Sequence, residues 1–118
     1  MKIQINDHRK VFAVQEEFSQ LFPNLKIEFY KKPSKVGEAA AKRLIKSSST
    51  LGDSRVVHTK GELTLKGLMT ISDLQQSLSD TYGLSAVVLR KSGKGWIETT
   101  ENGRLSIDEQ NEKTSLPA

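Results

Sequence analysis

The stretch Thr70–Thr100, TISDLQQSLSDTYGLSAVVLRKSGKGWIETT, decides the fold, because it indicates one helix followed by two strands. Apolar and aromatic residues recur in its first half at three- and four-residue spacing, which predicts a helix with one buried stripe. These residues are Ile71, Leu74, Leu78 and Tyr82. Thr70 is a typical N-cap residue, and Gly83 is typical of the left-handed position that ends a helix.

The second half of this stretch predicts a β-hairpin. Ala86–Arg90 is largely apolar, which is typical of a buried strand. The basic turn Lys91–Gly95 leads into Trp96–Thr100, a strand that carries the only Trp of the chain. The turn contains the Gly and Lys of a phosphate-binding loop but lacks the G-x-x-x-x-G-K-[ST] spacing and a following helix, so it is interpreted as a turn.

The same helix–strand pattern occurs earlier in the chain. Val14–Lys35 aligns with Leu74–Lys94 when one gap follows the helix. The matched pairs include Gln15 with Gln75, Phe18 with Leu78, Phe22 with Tyr82 and Leu25 with Leu84. The alignment indicates an internal repeat; the alternative is chance agreement between two amphipathic helix–strand units.

Three further segments alternate apolar and polar residues, as half-buried strands do. They are Lys2–Asn6, Leu25–Lys31 and Gly61–Lys66. Between the first two lies a helical stripe that starts at Val11, with Asn6 or Asp7 as the expected N-cap and Pro23 as the stop.

The element order β-α-β-β-α-β predicts an α+β fold, a ferredoxin-like two-layer sandwich with an appended fifth strand at Trp96. In that fold the ends of the second and fourth strands lie at opposite ends of the sheet. The basic pairs Lys31-Lys32 and Arg90-Lys91 are therefore expected to lie far apart. Residues 1–110 are predicted to form a single domain, and residues 111–118 a disordered tail.

Positive charge is concentrated in the middle of the chain. The net charge is +4, and residues 31–60 hold eight Lys or Arg against two acidic residues, an excess of six. Residues 32–60 are interpreted as an enlarged basic insert, with a short amphipathic helix over Val36–Lys46. Such a segment can bind nucleic acid or another anionic partner, or it can be a solvated linker. The expected contacts to an anionic partner are Lys31, Lys32, Lys35, Lys42, Arg43 and Lys46.

Several classes of protein are disfavoured by the composition. The chain has no cysteine, no apolar run long enough to span a membrane and no apolar core in its first ten residues, MKIQINDHRK. A cytoplasmic location without membrane contact is therefore expected. His8 and His58 lie in no metal-ligand or nucleophile pattern, so they are interpreted as surface residues. The expectation is a protein without a cofactor and without enzymatic activity.

Short motifs in residues 70–111, about a third of the chain, resemble an uncharacterised family of small bacterial proteins. The family pattern is roughly T-x-x-x-L, F-G-L, RKSG, W-x-E-T-T and L-x-E-Q-N. It is matched here by Thr70-Ile71-x-Asp73-Leu74, Tyr82-Gly83-Leu84, Arg90-Lys91-Ser92-Gly93, Trp96-Ile97-Glu98-Thr99-Thr100 and Leu105 through Glu109-Gln110-Asn111. The chain departs from it at Tyr82 and over Asn102–Arg104. The resemblance implies a bacterial origin and no mechanism, and it suggests that the fold or a partner needs residues 96–100.

Two functions from different classes remain open at this point. The first is a non-enzymatic interaction or assembly module that binds a protein partner or a second chain through an open sheet edge. Its expected surface is Trp96, Glu98, Arg90, Lys91 and Lys94. The second is nucleic-acid binding, in which the basic residues of 31–60 contact the phosphate backbone. Binding through the face of the sheet is disfavoured, because the strands expected at its centre lack the aromatic residues that stack on RNA bases.

Overall fold

A computed structural model describes residues 1–31, 43–55, 57–93, 95–99 and 104–115 of the chain. Strands of two to eight residues and three α-helices are found in the described residues. In chain order the elements are β1 (Lys2–Ile5), α1 (Val11–Leu21), β2 (Leu25–Lys31), β3 (Arg43–Leu44), a single 3₁₀ turn (Gly52–Ser54), β4 (Gly61–Thr64), α2 (Ile71–Tyr82), β5 (Ser85–Ser92), β6 (Gly95–Glu98) and α3 (Ile107–Ser115).

Helix α2 begins and ends as its sequence predicts. The backbone N–H of Asp73 donates to the Thr70 hydroxyl at 3.0 Å, which satisfies one of the unpaired donors of the first turn. Gly83 ends the helix with φ of 63°, a conformation that costs glycine little because it has no Cβ. The buried stripe is also confirmed, and it consists of Ile71, Leu74, Leu78 and Tyr82.

Helix α1 begins in a different way, and the prediction that Asn6 or Asp7 caps it is wrong. Its N-cap is Lys10, which makes no side-chain capping bond. The first N–H groups of the helix instead donate to a later loop, Val11 to the Ser49 carbonyl at 2.8 Å and Phe12 to the Ser47 carbonyl at 3.0 Å. A tertiary contact therefore replaces the local cap.

The described strands form two antiparallel sheets. β1 pairs with β4, and a four-stranded sheet has the order β3-β2-β5-β6. The α+β class is confirmed and a strand is found at Gly95–Glu98, but the ferredoxin-like arrangement is not confirmed. In that arrangement the second and fourth strands lie apart, whereas here β2 pairs directly with β5, with Leu25 opposite Arg90 and Tyr30 opposite Ser85. Because this pair is antiparallel, Lys31 and Arg90 still lie at opposite ends of the shared ladder.

The two halves of the chain share equivalent backbone hydrogen bonds at the starts of their first helices. Val11 N–H donates to Ser49 and Leu51 N–H to Arg9; Ile71 N–H donates to Leu105 and Ile107 N–H to Met69. The internal repeat is thus confirmed, and it is longer than the aligned segment. We call residues 2–55 repeat 1 and residues 61–115 repeat 2.

The sheet registers relate the repeats by an approximate two-fold axis. Ile3 lies opposite Leu63 in the small sheet, and Glu28 lies opposite Val87 in the large one. Under the repeat alignment each of these is a pair of equivalent residues. Equivalent residues of two antiparallel strands face each other only where a two-fold axis passes between them, so both sheets are built around such an axis.

The repeat changes the interpretation of residues 32–60. β3 occupies the place in repeat 1 that β6 occupies in repeat 2, so this segment includes a regular part of the fold as well as an insert. The predicted helix Val36–Lys46 falls mainly on residues 32–42, outside the described residues, and its end is wrong because Arg43–Leu44 is a strand. The predicted tail is also corrected, because residues 111–115 complete α3.

The core is one cluster to which both repeats contribute. The side chains in it that are less than two per cent exposed include Phe18, Phe29, Leu51, Leu65, Leu78 and Ile107. Burial of such side chains is the main favourable term in folding. No helix within the described ranges is long and apolar enough to cross a membrane.

Candidate interaction surface

β6 is an outer strand of the large sheet, and all four of its residues are exposed. It pairs with β5, with Arg90 opposite Ile97 and Lys91 opposite Trp96. The Thr99 N–H donates to the Val88 carbonyl at 3.0 Å, which fixes the alternation of the ladder. Antiparallel pairs alternate between bonded and non-bonded, so the N–H and C=O of Trp96 and Glu98 are directed away from β5, toward the outer edge.

Two large apolar side chains of β6 are exposed on opposite faces of the sheet. Trp96 is 40% and Ile97 41% exposed. The Lys26 ammonium lies 5.0 Å from the centre of the Trp96 ring, within range of a cation–π interaction. Lys26 also pairs with Glu28 at 3.5 Å, so it is held beside the indole.

The structure brings together only part of the predicted interaction surface. Trp96, Lys91 and Glu98 occupy register positions on one face of the sheet, because directly opposite residues and alternate residues share a face. Arg90 lies opposite Ile97 and belongs to the other face. Lys94 lies outside the described residues.

The sequence analysis missed two residues near the β6 edge, Lys26 on the face of Trp96 and Ile97 on the opposite face. Lys26 is distant from Trp96 in sequence, and only the pairing of β2 with β5 brings it close. Ile97 was quoted within a motif but not proposed as a contact. The positions of β6 and its continuation that share a face with Ile97 are Gly95 and Thr99, and neither is apolar. This was the available signal that the Ile97 side chain is exposed.

The edge of β2 beside α1 is covered, in contrast to β6. Ser19 Oγ donates to the Leu25 carbonyl at 3.1 Å, and Gln15 Nε2 donates to the Ile27 carbonyl at 2.9 Å. In repeat 2, Gln75 Nε2 makes the same bond to the Ala86 carbonyl at 2.9 Å. Helix side chains therefore occupy edge carbonyls that an added strand would need.

The predicted anionic-partner contacts lie mainly outside the described residues. Lys32, Lys35 and Lys42 are among residues 32–42. Lys31 and Arg43 lie opposite each other in the β2–β3 ladder, and Lys46 is exposed. The described part of the segment thus places two basic residues at one end of the sheet.

A separate cluster of charged groups joins the two repeats. The Arg55 side chain is fully buried; it donates to Asp7 Oδ1 at 3.0 and 3.2 Å and to the Tyr82 carbonyl at 2.9 Å. His58 Nδ1 lies 2.9 Å from Asp7 Oδ2. The hydrogen bond with His58, with further help from Arg55, lowers the pKa of Asp7 from its ordinary value although burial opposes this.

In the observed geometry, this cluster links the turn that contains Asp7 to the end of α2, which is a structural role. Arg55 satisfies the carbonyl of the last residue of α2, where a positive group is favoured by the helix dipole. Both carboxylate oxygens of Asp7 have partners. Among the residues that the structure describes, no group of three or more His, Cys, Asp or Glu side chains could hold a metal ion.

No protein-family model, no curated protein and no solved structure matches this chain. The resemblance of residues 70–111 to a family of small bacterial proteins stays a prediction.

Proposed function

We propose that this protein is a non-enzymatic protein-interaction module that binds an extended strand of its partner along the outer edge of β6. The observation that carries the proposal is the exposure of all four β6 residues, including Trp96 and Ile97, on an outer strand. Strand addition draws affinity from backbone hydrogen bonds and specificity from alternating side chains. β6 presents both, because the backbone groups of Trp96 face outward and large side chains flank them.

The contrast with the other strands supports the choice of β6. The carbonyls along the edge of β2 bond to α1 side chains and to Ile45, whose N–H donates to the Phe29 carbonyl at 2.8 Å. The other outer strand, β3, covers two of the described residues, Arg43–Leu44. Natural sheets protect their edges by covering them, and β2 follows that rule.

Nucleic-acid binding has less support from the described residues. Base stacking needs an open aromatic face, and Lys26 lies over the ring of Trp96. Binding to the phosphate backbone through the basic segment would rest mainly on residues 32–42. The β6 edge is therefore the better-supported site.

A displayed library of random peptides tests the proposal. Binders selected on the wild-type protein are measured against Trp96→Pro and Trp96→Ala. Proline removes the outward N–H together with the indole, and an edge strand tolerates it there because that N–H is not used in the β5 ladder. Alanine removes the indole alone.

We expect Trp96→Pro to weaken binding about two- to tenfold more than Trp96→Ala, because one backbone hydrogen bond of the complex is lost. Leu68→Ala is the control, since Leu68 is 87% exposed and lies outside β6. Thermal melts of the variants check that the fold is retained. Binders that keep wild-type affinity for Trp96→Pro would contradict the proposal.

A further inference from the structure

We propose that the groove between α1 and the outer edge of β2 binds a small organic cation, an amine with an apolar body. This site goes beyond the proposed function, because it lies at the edge of β2 that faces away from β5 and β6. The groove has a volume of about 360 Å³, which falls in the range of small-molecule sites. Its lining includes Phe12, Gln15, Glu16 and Ser19 of α1 and Lys26 and Glu28 of β2.

The groove exists because the strand beside β2 ends early. β3 pairs with β2 only at Tyr30 and Lys31, and the chain then turns toward the start of α1, where the Ser47 carbonyl accepts the Phe12 N–H. Among the described residues, no strand lies beside residues 25–28 on this edge. Helix side chains bond to the strand carbonyls there, and the space above them is left for a ligand.

Comparison of the two repeats shows which lining residues the fold itself requires. Gln15 and Gln75 are equivalent, and each donates from its side-chain amide to a strand carbonyl at 2.9 Å. The glutamine is therefore part of the repeated framework, whereas the ring and the carboxylates of the groove are not repeated. Under the repeat alignment Phe12, Glu16 and Glu28 correspond to Ser72, Gln76 and Val87.

The groove carries one negative charge that the protein does not neutralise. Glu28 pairs with the Lys26 ammonium at 3.5 Å, so these two charges offset each other. Glu16 is exposed and forms no ion pair within the described residues. Phe12 precedes Glu16 by four residues on α1, a spacing that places the ring and the carboxylate side by side on the helix surface.

This pair of side chains defines the class of ligand. An ammonium group beside Glu16 gains a charge interaction, and it gains a cation–π interaction when it also meets the ring of Phe12, which is 44% exposed. The apolar body of the ligand can pack on the same ring and on the methylene stem of Lys26. A carboxylate ligand is repelled by Glu16, and a neutral apolar ligand gains only the packing.

Three probes of similar shape and different charge test the site on the full chain. They are 2-phenylethylamine, 2-phenylethanol and 3-phenylpropionate, each titrated while backbone amide chemical shifts are followed by NMR. We expect the amine to bind at least about threefold more tightly than the alcohol, and the carboxylate to bind most weakly. The shifts are expected at Phe12, Gln15 and Ile27 and not at the equivalent Ser72 and Gln75.

Two variants separate the charge from the ring, and both change exposed side chains. Glu16→Gln is expected to weaken binding of the amine about two- to fivefold and to leave the alcohol unchanged. Phe12→Ala is expected to weaken binding of both. Gln76→Ala, at the position of repeat 2 that matches Glu16, is the control and is expected to change neither. Amide spectra of the free variants show that they are folded.

Two results would overturn this site. One is an amine that causes no saturable shift of the groove amides, and the other is an amine that binds Glu16→Gln as tightly as the wild-type protein. Either result leaves the β6 edge untouched, because selected peptides are tested against Trp96 variants and the groove against Glu16 and Phe12 variants. Loss of peptide binding at β6 likewise leaves the amine titrations unchanged.

Discussion

Repeat 1 and repeat 2 share a hydrogen-bonded framework but differ at their outer edges. Val11 and Ile71 begin equivalent helices with equivalent bonds to a later loop. The outer strand of repeat 1 covers two of the described residues, whereas β6 has four and carries the Trp. The comparison teaches that the interior of this protein is duplicated, whereas the two outer strands differ, since only β6 exposes an aromatic side chain among the described residues.

Each repeat also forms hydrogen bonds at or just after the C-terminal end of a helix of the other repeat. Arg55 follows the buried Leu51 by four residues and bonds to the end of α2. Asn111 follows the buried Ile107 by four residues, and its side chain and backbone carbonyl accept hydrogen bonds from Asn24, just after α1, at 3.0 Å each. The same position thus makes an ionic link in repeat 1 and a neutral one in repeat 2.

Each repeat has a close contact between an aspartate and a glycine in two turns, and the positions of the two residue types are swapped between the repeats. In repeat 1, Asp7 packs against Gly52, where a Cβ would lie 2.9 Å from the Cβ of Asp7. In repeat 2 the order is reversed, and a Cβ on Gly67 would collide with the Asp108 carboxylate. There is room for one side chain in each pair, so glycine accompanies aspartate in both repeats.

The largest expected effect tests whether the two repeats contribute equally to the core. Leu51 and Ile107 are equivalent and fully buried. We expect Leu51→Ala and Ile107→Ala each to lower the free energy of unfolding by about 3–4 kcal/mol, through lost burial and a cavity. Urea denaturation measures both. Phe12→Ala is the exposed control, and a difference above about 2 kcal/mol between the equivalent variants would break the comparison.

A smaller effect tests the two links between the repeats. Arg55→Met keeps much of the side-chain stem but removes the donor to Asp7 Oδ1 and to the Tyr82 carbonyl, while Asp7 Oδ2 keeps His58. We expect a loss of about 2–3 kcal/mol, less than for a fully buried ion pair because Asp7 is 37% exposed. Asn111→Ala removes a neutral hydrogen bond and is expected to cost about 1 kcal/mol. Equal losses would show that the charge of Arg55 adds nothing to its link.

The smallest expected effect is a loss of folding stability at low pH. The pKa of Asp7 is lowered in the folded protein, so the carboxylate stabilises the fold above its ordinary pKa of 3.8, and this contribution is lost as pH falls through the lowered pKa. We expect the wild-type protein to lose more stability than Asp7→Asn between about pH 5 and pH 2. Urea midpoints across this range measure the difference. Parallel pH profiles would show that Asp7 is not linked to folding.

Most of the elements could be predicted because their signals are local. The stripe of α2, its Thr70 cap and its Gly83 stop depend on residues within a few positions of each other. The N-cap of α1 could not be predicted in the same way, because loop carbonyls near Ser47 and Ser49 replace a side-chain cap. β3 was missed since a two-residue strand carries almost no periodic pattern.

The sequence by itself determined the α+β class, the helix α2 with its cap and stop, and a strand at Trp96, and it indicated the internal repeat. It did so because apolar spacing, caps and turns act over a few residues. Only the tertiary structure decided that β2 pairs with β5, that Lys26 lies over Trp96 and that Arg55 joins Asp7 to the end of α2. Strand partners are chosen by packing between distant segments, and several pairings satisfy the same local pattern.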